Sequence, residues 1–242
     1  EPRADGTWSA LVKPLRKLRD EKDPVGFSKA LWSSMAEMGW TGILVEEDHG
    51  GVDMGYAAAG LVLQEMGRTL CSSPFLPTSI LSASALKLAR AGATVLIVAR
   101  TPEKLEETLH EIARLGGHAR TYQCDVSHLE EVDQLVDQVL TDYGRVDILI
   151  NNAGRSIRRS IKRSFDRYHD YERTMQLNYF GAIRMAMNLL PQMRERRGGH
   201  IINVSAVGVQ NAPPRFSAYL GSKFALEGWT MAAATEFVHE NI

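Results

Sequence analysis

Strand-like and helix-like stretches alternate through the second part of the chain, and this alternation constrains the fold more than any other feature. Short runs rich in apolar and β-branched residues are separated by longer stretches with an apolar residue at every third or fourth position. Strands joined by helices pair in parallel, with helices covering both faces of the sheet. We therefore predict an α/β fold with helices beginning near residues 101, 127, 171 and 218 and strands at 94–99, 119–123, 146–150 and 201–204.

Local signals mark the ends of two of these helices. Thr101 and Pro102 suit the cap and the first position of one helix, and Gly116 follows its end. Ser127 and Glu130 have the spacing of a capping box, in which each side chain bonds to the other residue's backbone amide. Both helices are therefore predicted to begin with a capped end.

The first 84 residues carry a different pattern, in which only helices are predicted. Apolar residues recur at helical spacing over 8–20, 27–38 and 56–68, and the turn-rich stretch EEDHGGVDMG separates the last two. The chain is therefore predicted to have two parts, an all-α segment over residues 1–84 and an α/β domain over residues 85–242.

Composition argues against several classes of function. The formal net charge of the 242 residues is −1, so no nucleic-acid partner is expected. Cys71 and Cys124 show no metal-ligand spacing and are too few for a disulfide framework, which favours no metal and a reducing, cytoplasmic setting. No apolar run reaches the ~18 residues needed for a membrane span. The first residues, EPRADGTWSA, lack the pattern of a signal peptide.

Tyr219 and Lys223 are four residues apart in a predicted helix, so both side chains project from one face. A phenol has a pKa near ~10, and a nearby ammonium favours its ionised form and so lowers that pKa. Such a pair suits acid–base catalysis at a carbonyl group, with Tyr219 as the proton donor. The alternative interpretation is a surface tyrosine at the start of a helix.

Motifs of a known family occur together and in order. They are Asp125-Val126 after a strand, the NNAG turn at 151–154, Asn178 in the long helix and YLGSK at 219–223. As a set they resemble the short-chain dehydrogenase/reductase family over roughly residues 85–242, and GRSIRRS and PRFSAY look most like members acting on long-chain acyl-CoA. The resemblance implies a Rossmann-like parallel sheet with flanking helices. It also implies that Lys223 holds the nicotinamide ribose and that Asn178 anchors the water through which the proton is replenished.

Arg100 follows the strand predicted at 94–99, at the position that selects the cofactor in this family. An acidic residue there binds the ribose of NAD, whereas an arginine accommodates the 2′-phosphate of NADP. Arg100 therefore favours NADP, with NAD as an alternative, and a solvated strand-end arginine is the other interpretation. The resemblance implies further cofactor contacts from residues after two other strands, namely Asp125, Val126, Asn152, Ala153 and Gly154.

The serine partner of the tyrosine is displaced by one residue. Family members usually carry it about thirteen residues before the tyrosine, and that position here is Ala206, with Ser205 one residue earlier. A shift of one residue at a strand end turns a side chain to the opposite face. Ser205 is catalytic if the loop is irregular enough to let it reach, and otherwise it only ends a strand.

The phosphate-binding loop of the family has no counterpart here. The family begins with a strand and a TGxxxGxG loop, whose glycines let the backbone approach the pyrophosphate. Where the threonine and the three glycines should be, the chain has Pro74, Phe75, Ser79 and Leu81, and the first strand is absent. We expect weak or absent NADPH binding, with either a gapped sheet of lowered stability or residues 42–45 recruited as a makeshift strand.

Residues 8–85 resemble the helical N-terminal domain of the acyl-CoA dehydrogenases. That family's flavin-contacting domain and catalytic glutamate lie downstream of this region, so no FAD is expected. The chain is thus interpreted as a fusion of two incomplete parts. The predicted function is an NADP-linked carbonyl reductase for acyl-CoA or a lipid-like carbonyl. The alternatives are a non-catalytic fusion that cannot bind the cofactor and a remnant of a flavin-dependent acyl-CoA dehydrogenase.

A basic run follows the NNAG turn, with Asp166 as its one acidic residue. Its members are Arg155, Arg158, Arg159, Lys162, Arg163 and Arg167. Such a run is usually a solvated face, but in this family it borders the substrate entrance, where it would attract the phosphates of coenzyme A. Nucleic-acid binding is a distant third interpretation. A homo-oligomer and a small-molecule or acyl-CoA substrate complete the expected partners.

Overall fold

The computed structural model describes residues 29–49, 51–55, 57–59, 62, 87–89, 91–114 and 117–242. The chain divides into two compact units, Glu1–Leu96 with Glu106–Arg120 and Ile97–Leu105 with Thr121–Ile242. The helix predicted at 8–20, most of the helix predicted at 56–68 and the glycine-free residues 74–81 lie outside the described residues. The predicted domain boundary near residue 84 also lies outside them and stays a prediction.

The first unit begins its described part with a helix and tight turns. Helix α1 covers Lys29–Glu37, within the stretch predicted as helical, and 3₁₀ turns follow at Trp40–Gly42 and Glu47–His49. Ile43 and Leu44 are almost fully buried between those turns. This part of the unit is therefore held by local turns around a small apolar centre.

The makeshift strand expected at residues 42–45 is not formed. Gly42 ends a 3₁₀ turn, and Ile43 keeps a right-handed helical backbone with φ −59° and ψ −27°. The backbone bonds are local, from Ile43 N to Trp40 O and from Val45 N to Gly42 O. Because these donors are satisfied within the segment, they are not free to pair with a neighbouring strand.

Strands and helices alternate through the rest of the chain, as predicted. The strands are β1 (Val95–Ala99), β2 (Ala119–Gln123), β3 (Ile148–Asn151) and β4 (His200–Asn203). The helices are α2 (Pro102–Arg114), α3 (Leu129–Tyr143), α4 (His169–Met175), α5 (Gly181–Arg196), α6 (Gly208–Asn211) and α7 (Ser217–Phe237), with a π-helical turn at Gln176–Phe180. β1, α2 and β2 are each divided between the two units, and the later elements belong to the second.

The described strands pair two by two. β3 and β4 are parallel, in a register that sets Ile148 opposite His200 and Asn151 opposite Asn203. β1 pairs with β2, and within the described residues no ladder joins that pair to β3 and β4. Among the described residues, this pairing agrees with the gapped sheet expected from the missing first strand. On the β3–β4 pair, Ile148, Ile150 and Ile202 are exposed on one face.

Helices α3 and α5 pack against each other beside this sheet segment. Arg184 of α5 donates two hydrogen bonds to the Asp133 carboxylate of α3, at 2.6 Å each. At the start of α5, a Cβ on Gly181 would lie 2.2 Å from the Val126 carbonyl oxygen. Glycine at this position therefore allows a close approach between α5 and the segment after β2. None of the described helices is long and apolar enough to span a membrane.

The capping box predicted for α3 is wrong. The helix begins at Leu129 after His128, whose side chain makes no capping hydrogen bond. Ser127 donates instead to Asp125, from its hydroxyl at 2.6 Å and from its backbone amide at 3.0 Å. The Asp125 carboxylate thus accepts the Ser127 amide hydrogen bond that the capping box assigned to Glu130.

Candidate active site

Helix α7 places Tyr219 and Lys223 beside the end of β4. Only 3% of Lys223 is exposed, and its ammonium donates to the Val204 carbonyl oxygen at 2.6 Å. Tyr219 is half-buried, and its ring meets the Phe216 ring edge-on, with centroids 6.4 Å apart. The ammonium has three donors, so two remain after the bond to Val204.

Asn178 lies in the π-helical turn, which packs against α7. Its amide nitrogen donates to the Arg155 carbonyl oxygen and to the Ser222 hydroxyl, at 2.9 Å each. Its amide oxygen accepts from the Arg155 backbone amide at 2.7 Å. Asn178 is only 1% exposed, so these bonds fix it firmly between the NNAG turn and α7.

Gly154 brings the turn after β3 close to both groups. A Cβ built on Gly154 would lie 3.4 Å from the Asn178 amide oxygen and 3.7 Å from the Lys223 nitrogen. Three of the residues singled out in the sequence, from three different segments, are thus gathered at one place. Tyr219 lies one helical turn before Lys223 on α7.

Burial sets the pKa directions of the two helix residues. It raises the pKa of the Tyr219 phenol above its ordinary value and lowers the pKa of the Lys223 ammonium. The lowering of the tyrosine pKa expected from a neighbouring ammonium is therefore not what the structure gives. The reason is that desolvation disfavours both charged forms. A raised pKa keeps the phenol protonated at neutral pH.

The hydroxyl of Ser205 is engaged away from the tyrosine. It donates to a carboxylate oxygen of Glu227, two helical turns after Tyr219 on α7. Ala206, thirteen residues before Tyr219, carries no hydroxyl. Sequence reasoning missed Glu227, although its spacing of four from Lys223 places it on the same helix face.

Asp125 and Arg100 come together after β2 and β1. An Arg100 guanidinium nitrogen lies 3.7 Å from a carboxylate oxygen of Asp125, and the arginine side chain is mostly exposed. The hydrogen bonds from Ser127 and the charge of Arg100 lower the pKa of Asp125. The backbone amide of Asp125 donates to Glu131 at 2.8 Å. A negative and a positive group are thus available side by side at this strand end.

The other predicted cofactor residues occupy backbone positions around these groups. Val126 presents its carbonyl to Gly181, while Asn152 and Ala153 are exposed. Asn151, which sequence reasoning did not select, donates to the Asn203 amide oxygen at 2.9 Å, and Asn203 donates to Thr230 at 2.8 Å. These two hydrogen bonds connect β3, β4 and α7 next to the site.

A buried carboxylate divides the basic run into two groups. Asp170, whose side chain is 3% exposed, pairs with Arg159 at 3.0 Å and Arg167 at 3.6 Å, and also with Arg173. Burial would raise the pKa of Asp170, but the hydrogen bonds from Arg173 and Arg159 hold it at about 2. The exposed remainder of the run forms no ion pair among the described residues: Arg155, Arg158, Lys162 and Arg163.

The donor set fits the two ends of a nicotinamide dinucleotide better than its middle. Lys223 has free ammonium protons near Gly154, which suits ribose hydroxyls. Arg100 and Asp125 suit the adenosine end. For the pyrophosphate in the middle, the family resemblance points to residues 74–81, where the sequence PFLPTSIL offers no glycine. Within the described residues, no group of three or more His, Cys, Asp or Glu side chains is arranged to hold a metal ion.

Comparison with known proteins gives two family matches on this chain. Residues 79–242 match the family model of short chain dehydrogenases, and residues 8–94 match that of the N-terminal domain of acyl-CoA dehydrogenases. The two matches meet between residues 79 and 94. The chain thus combines parts of two families, as the sequence indicated.

Individual relatives match the second part of the chain. A fatty acyl-CoA reductase of Acinetobacter baylyi is 51% identical over 158 residues, covering 65% of this chain and 54% of the relative. An uncharacterised oxidoreductase of Mycobacterium tuberculosis is 54% identical over 164 residues, covering 66% of this chain and 48% of the relative. The chain therefore spans about half the length of these relatives.

A solved structure shares the fold of the same part. It is a metagenomic short-chain oxidoreductase in complex with NADP, with a TM-score of 0.62 and 31% sequence identity. The match covers 66% of this chain and 70% of that one. The likeness supports a Rossmann-like arrangement of the strands and helices described above.

Proposed function

The chain belongs, over residues 79–242, to the short-chain dehydrogenase family, and from that premise we propose that it is an NADP-linked carbonyl reductase for acyl-CoA or a related lipid carbonyl. The oxidoreductase class follows from the family. The observation that carries the finer proposal is the gathering of Lys223, Asn178 and Gly154 beside Tyr219. Such a buried cluster of polar groups next to a protonated phenol is suited to binding and protonating a carbonyl oxygen.

Each residue of this cluster has a distinct task in the proposed reaction. Tyr219, kept protonated by the raised pKa of its phenol, donates its proton to the carbonyl oxygen. Lys223 binds ribose hydroxyls with the ammonium protons that Val204 leaves free. Asn178 holds the Arg155 peptide in place and, by the family resemblance, anchors the water that returns the proton. NADPH, when bound, supplies the hydride.

Cofactor and substrate preferences rest on charged groups. The mostly exposed Arg100 guanidinium is a cation available to a 2′-phosphate, which supports our proposal of NADP before NAD. The exposed members of the basic run supply cations for the phosphates of coenzyme A. The fatty acyl-CoA reductase among the relatives supports that substrate class. We propose a cytoplasmic location and no flavin.

The proposal is tested by following NADPH oxidation with a long-chain acyl-CoA as substrate. Tyr219→Phe removes only the proton donor, so we expect turnover to fall by about 10²–10⁴-fold with an unchanged circular dichroism spectrum. Tyr143→Phe is the matched control, because Tyr143 lies on the surface of α3, and its turnover should stay at the wild-type value. Equal turnover of Tyr219→Phe and the wild type would remove Tyr219 from the mechanism.

The alternative is a non-catalytic fusion that keeps the catalytic helix but cannot hold the cofactor. The observation that favours it is the lack of a ladder between the β1–β2 and β3–β4 pairs among the described residues. Titration of NADPH fluorescence with the purified chain separates the two proposals. A signal that does not change at millimolar NADPH supports the fusion, and a saturable change supports the reductase.

A homo-oligomer is also proposed. Phe180 and Met187 are exposed and seven residues apart, as are Phe224 and Met231 on α7. Residues seven apart lie on one face of a helix, and exposed apolar faces of this kind are usually covered by a partner. Sedimentation velocity of the Phe224→Ala/Met231→Ala variant tests this, since loss of the oligomer is expected.

A further inference from the structure

Three large apolar side chains stand exposed between β3 and α4. Phe165 is 83% exposed, Tyr168 71% and Ile161 62%. An aromatic side chain carries about 150–250 Å² of surface, so Phe165 and Tyr168 leave on the order of 300 Å² to solvent. An exposed apolar area of this size is comparable to the largest patch on a typical monomer, and such patches are often functional.

The segment that carries these side chains is folded into successive tight turns. Backbone amides donate three residues back, from Arg163 to Ser160 at 2.9 Å and from Arg167 to Ser164 at 3.0 Å. The apolar positions 161, 165 and 168 follow each other at intervals of four and three residues. Such intervals place side chains next to one another in helix-like turns.

Cations are interleaved with these apolar side chains. Arg158, Lys162 and Arg163 are exposed and form no ion pair within the described part of the chain. Asp166 is the acidic residue among them. The segment 158–168, hereafter the docking segment, therefore presents free positive charge and bare apolar surface together.

The docking segment is bonded to the candidate active site at its start and to α4 near its end. Just before it, the Arg155 peptide exchanges two hydrogen bonds with the Asn178 side chain. Within it, the Arg159 amide donates to the Arg215 carbonyl oxygen at 2.7 Å, four residues before Tyr219. The Arg159 and Arg167 side chains pair with buried Asp170. The exposed side chains are thus presented from a fixed base.

We propose that the docking segment binds the chain to an anionic lipid surface. Ile161, Phe165 and Tyr168 enter the boundary between headgroups and acyl chains, and the three free cations bind headgroup phosphates. Basic residues beside aromatic and aliphatic ones are the composition that interfacial segments use. The binding is peripheral and leaves the rest of the chain in water.

Two other occupants fit the docking segment less well. A second copy of the chain would bring the same surface against itself in a two-fold interface, setting the cations of one copy against those of the other. A single-stranded nucleic acid needs open aromatic faces for its bases. The Tyr168 ring is already stacked on Tyr171, with centroids 6.2 Å apart, which leaves Phe165 as the one aromatic ring of the segment without such a neighbour among the described residues.

The proposal is tested with the full chain by co-sedimentation with vesicles, without NADPH or substrate, so failure of the proposed reductase function does not affect the result. We expect binding to phosphatidylcholine vesicles that contain phosphatidylglycerol, and weaker binding to phosphatidylcholine alone or at high salt. Phe165→Ala/Tyr168→Ala should lower the affinity at least about tenfold. Tyr143→Ala/Val238→Ala, which removes exposed side chains elsewhere, should bind like the wild type.

A second measurement does not depend on the stability of the double variant. When the anionic vesicles are added, the tryptophan emission of Phe165→Trp should shift further to the blue than that of the wild type. Any of three results would overturn the proposal: no vesicle binding by the wild type, equal binding by the double variant, or no shift for Phe165→Trp. Self-association or oligonucleotide binding that depends on Phe165 and occurs without vesicle binding would assign the segment to one of the other occupants.

Discussion

At the scale of single residues, variants of Ser205 and Ala206 test whether this chain uses a catalytic serine as the family does. The Ser205 hydroxyl donates to Glu227, so we expect Ser205→Ala to leave kcat within about twofold. The lost bond to a charged group should lower the free energy of unfolding by about 1–3 kcal/mol, as measured by urea denaturation. Ala206→Ser, in contrast, should raise kcat at least about tenfold by placing a donor at the family position.

The same two variants can also contradict the prediction that Ser205 has no role in catalysis. A large loss of kcat in Ser205→Ala, together with no gain in Ala206→Ser, would show that the displaced serine serves the reaction despite its bond to Glu227. A double variant carrying both changes checks the exchange, because it should retain the activity gained in Ala206→Ser.

Asp170 should make the stability of the second unit fall at acidic pH. Its pKa is held at about 2, below the ordinary value of 3.8. A lowered pKa stabilises the fold above the ordinary value, and this contribution is lost as the pH falls through 3.8 towards 2. Asp170→Asn should therefore be destabilised at neutral pH, by a margin that shrinks in acid. Thermal melts from pH 7 to pH 2 measure that margin.

A nearby acidic residue provides the comparison for Asp170. Asp166 is exposed, so Asp166→Asn should follow the wild-type melting curve throughout this pH range. If the two asparagine variants behave alike, the ion pairs of Asp170 with the three arginines contribute nothing to stability.

At the scale of elements, the start of α5 depends on a missing side chain. A Cβ at Gly181 would lie 2.2 Å from the Val126 oxygen, although the glycine has ordinary helical backbone angles. Gly181→Ala should therefore lower the free energy of unfolding by about 1–3 kcal/mol through overpacking alone. Gly228→Ala in α7 has nothing within 4 Å of its new Cβ and should gain about 0.5–1 kcal/mol. A loss in both variants would contradict the steric explanation.

Sequence reasoning predicted the elements better than their ends. The order of strands and helices follows from the spacing of apolar residues, which is a local property. The start of α3 could not be predicted because Asp125 takes the Ser127 donors, and two acceptors close in sequence compete for the same group. Residues 42–45 failed as a strand for a similar reason, since their backbone bonds close within the turn.

In the candidate site too, some features were predictable from the sequence and others were not. The spacing of Tyr219 and Lys223 was enough to place both on α7. Their pKa directions were not predictable, because these depend on how deeply the fold buries each group. The partners of Asn178 and Ser205 come from segments 23 and 22 residues away in sequence. Contacts of that kind depend on the tertiary fold and leave no local sequence pattern.

At the scale of the whole molecule, no ladder joins the β1–β2 and β3–β4 pairs among the described residues, and we expect this to lower both stability and cofactor affinity. Strand edges without a partner leave backbone groups unpaired. We expect no cooperative thermal transition within the ~45–65 °C usual for mesophilic domains in the absence of ligand. We also expect a KM for NADPH at the upper end of the ~1 μM–1 mM range of enzymes. Scanning calorimetry without NADPH measures the transition, and initial rates of NADPH oxidation at varied NADPH give the KM. Calorimetry with added NADPH measures how far cofactor binding stabilises the fold.

Calorimetry can contradict each part of this expectation. A sharp transition in the ordinary range without ligand would mean that the β1–β2 and β3–β4 pairs are supported by contacts outside the described residues. A rise in that transition at micromolar NADPH would mean that another segment replaces the glycine loop. The first residues to substitute would then be Gly51 and Gly55, which lie in the glycine-containing turn-rich stretch EEDHGGVDMG.

The paired bonds between Arg155 and Asn178 make one backbone proton a reporter of the active site. The Arg155 side chain is exposed, yet its amide proton is held by the Asn178 oxygen at 2.7 Å. In heavy water that proton exchanges only when the bond opens. The exchange rate of this amide therefore reports how frequently the hydrogen bond between Arg155 and Asn178 opens. A ligand that holds Asn178 more firmly in place would slow the exchange of this amide proton.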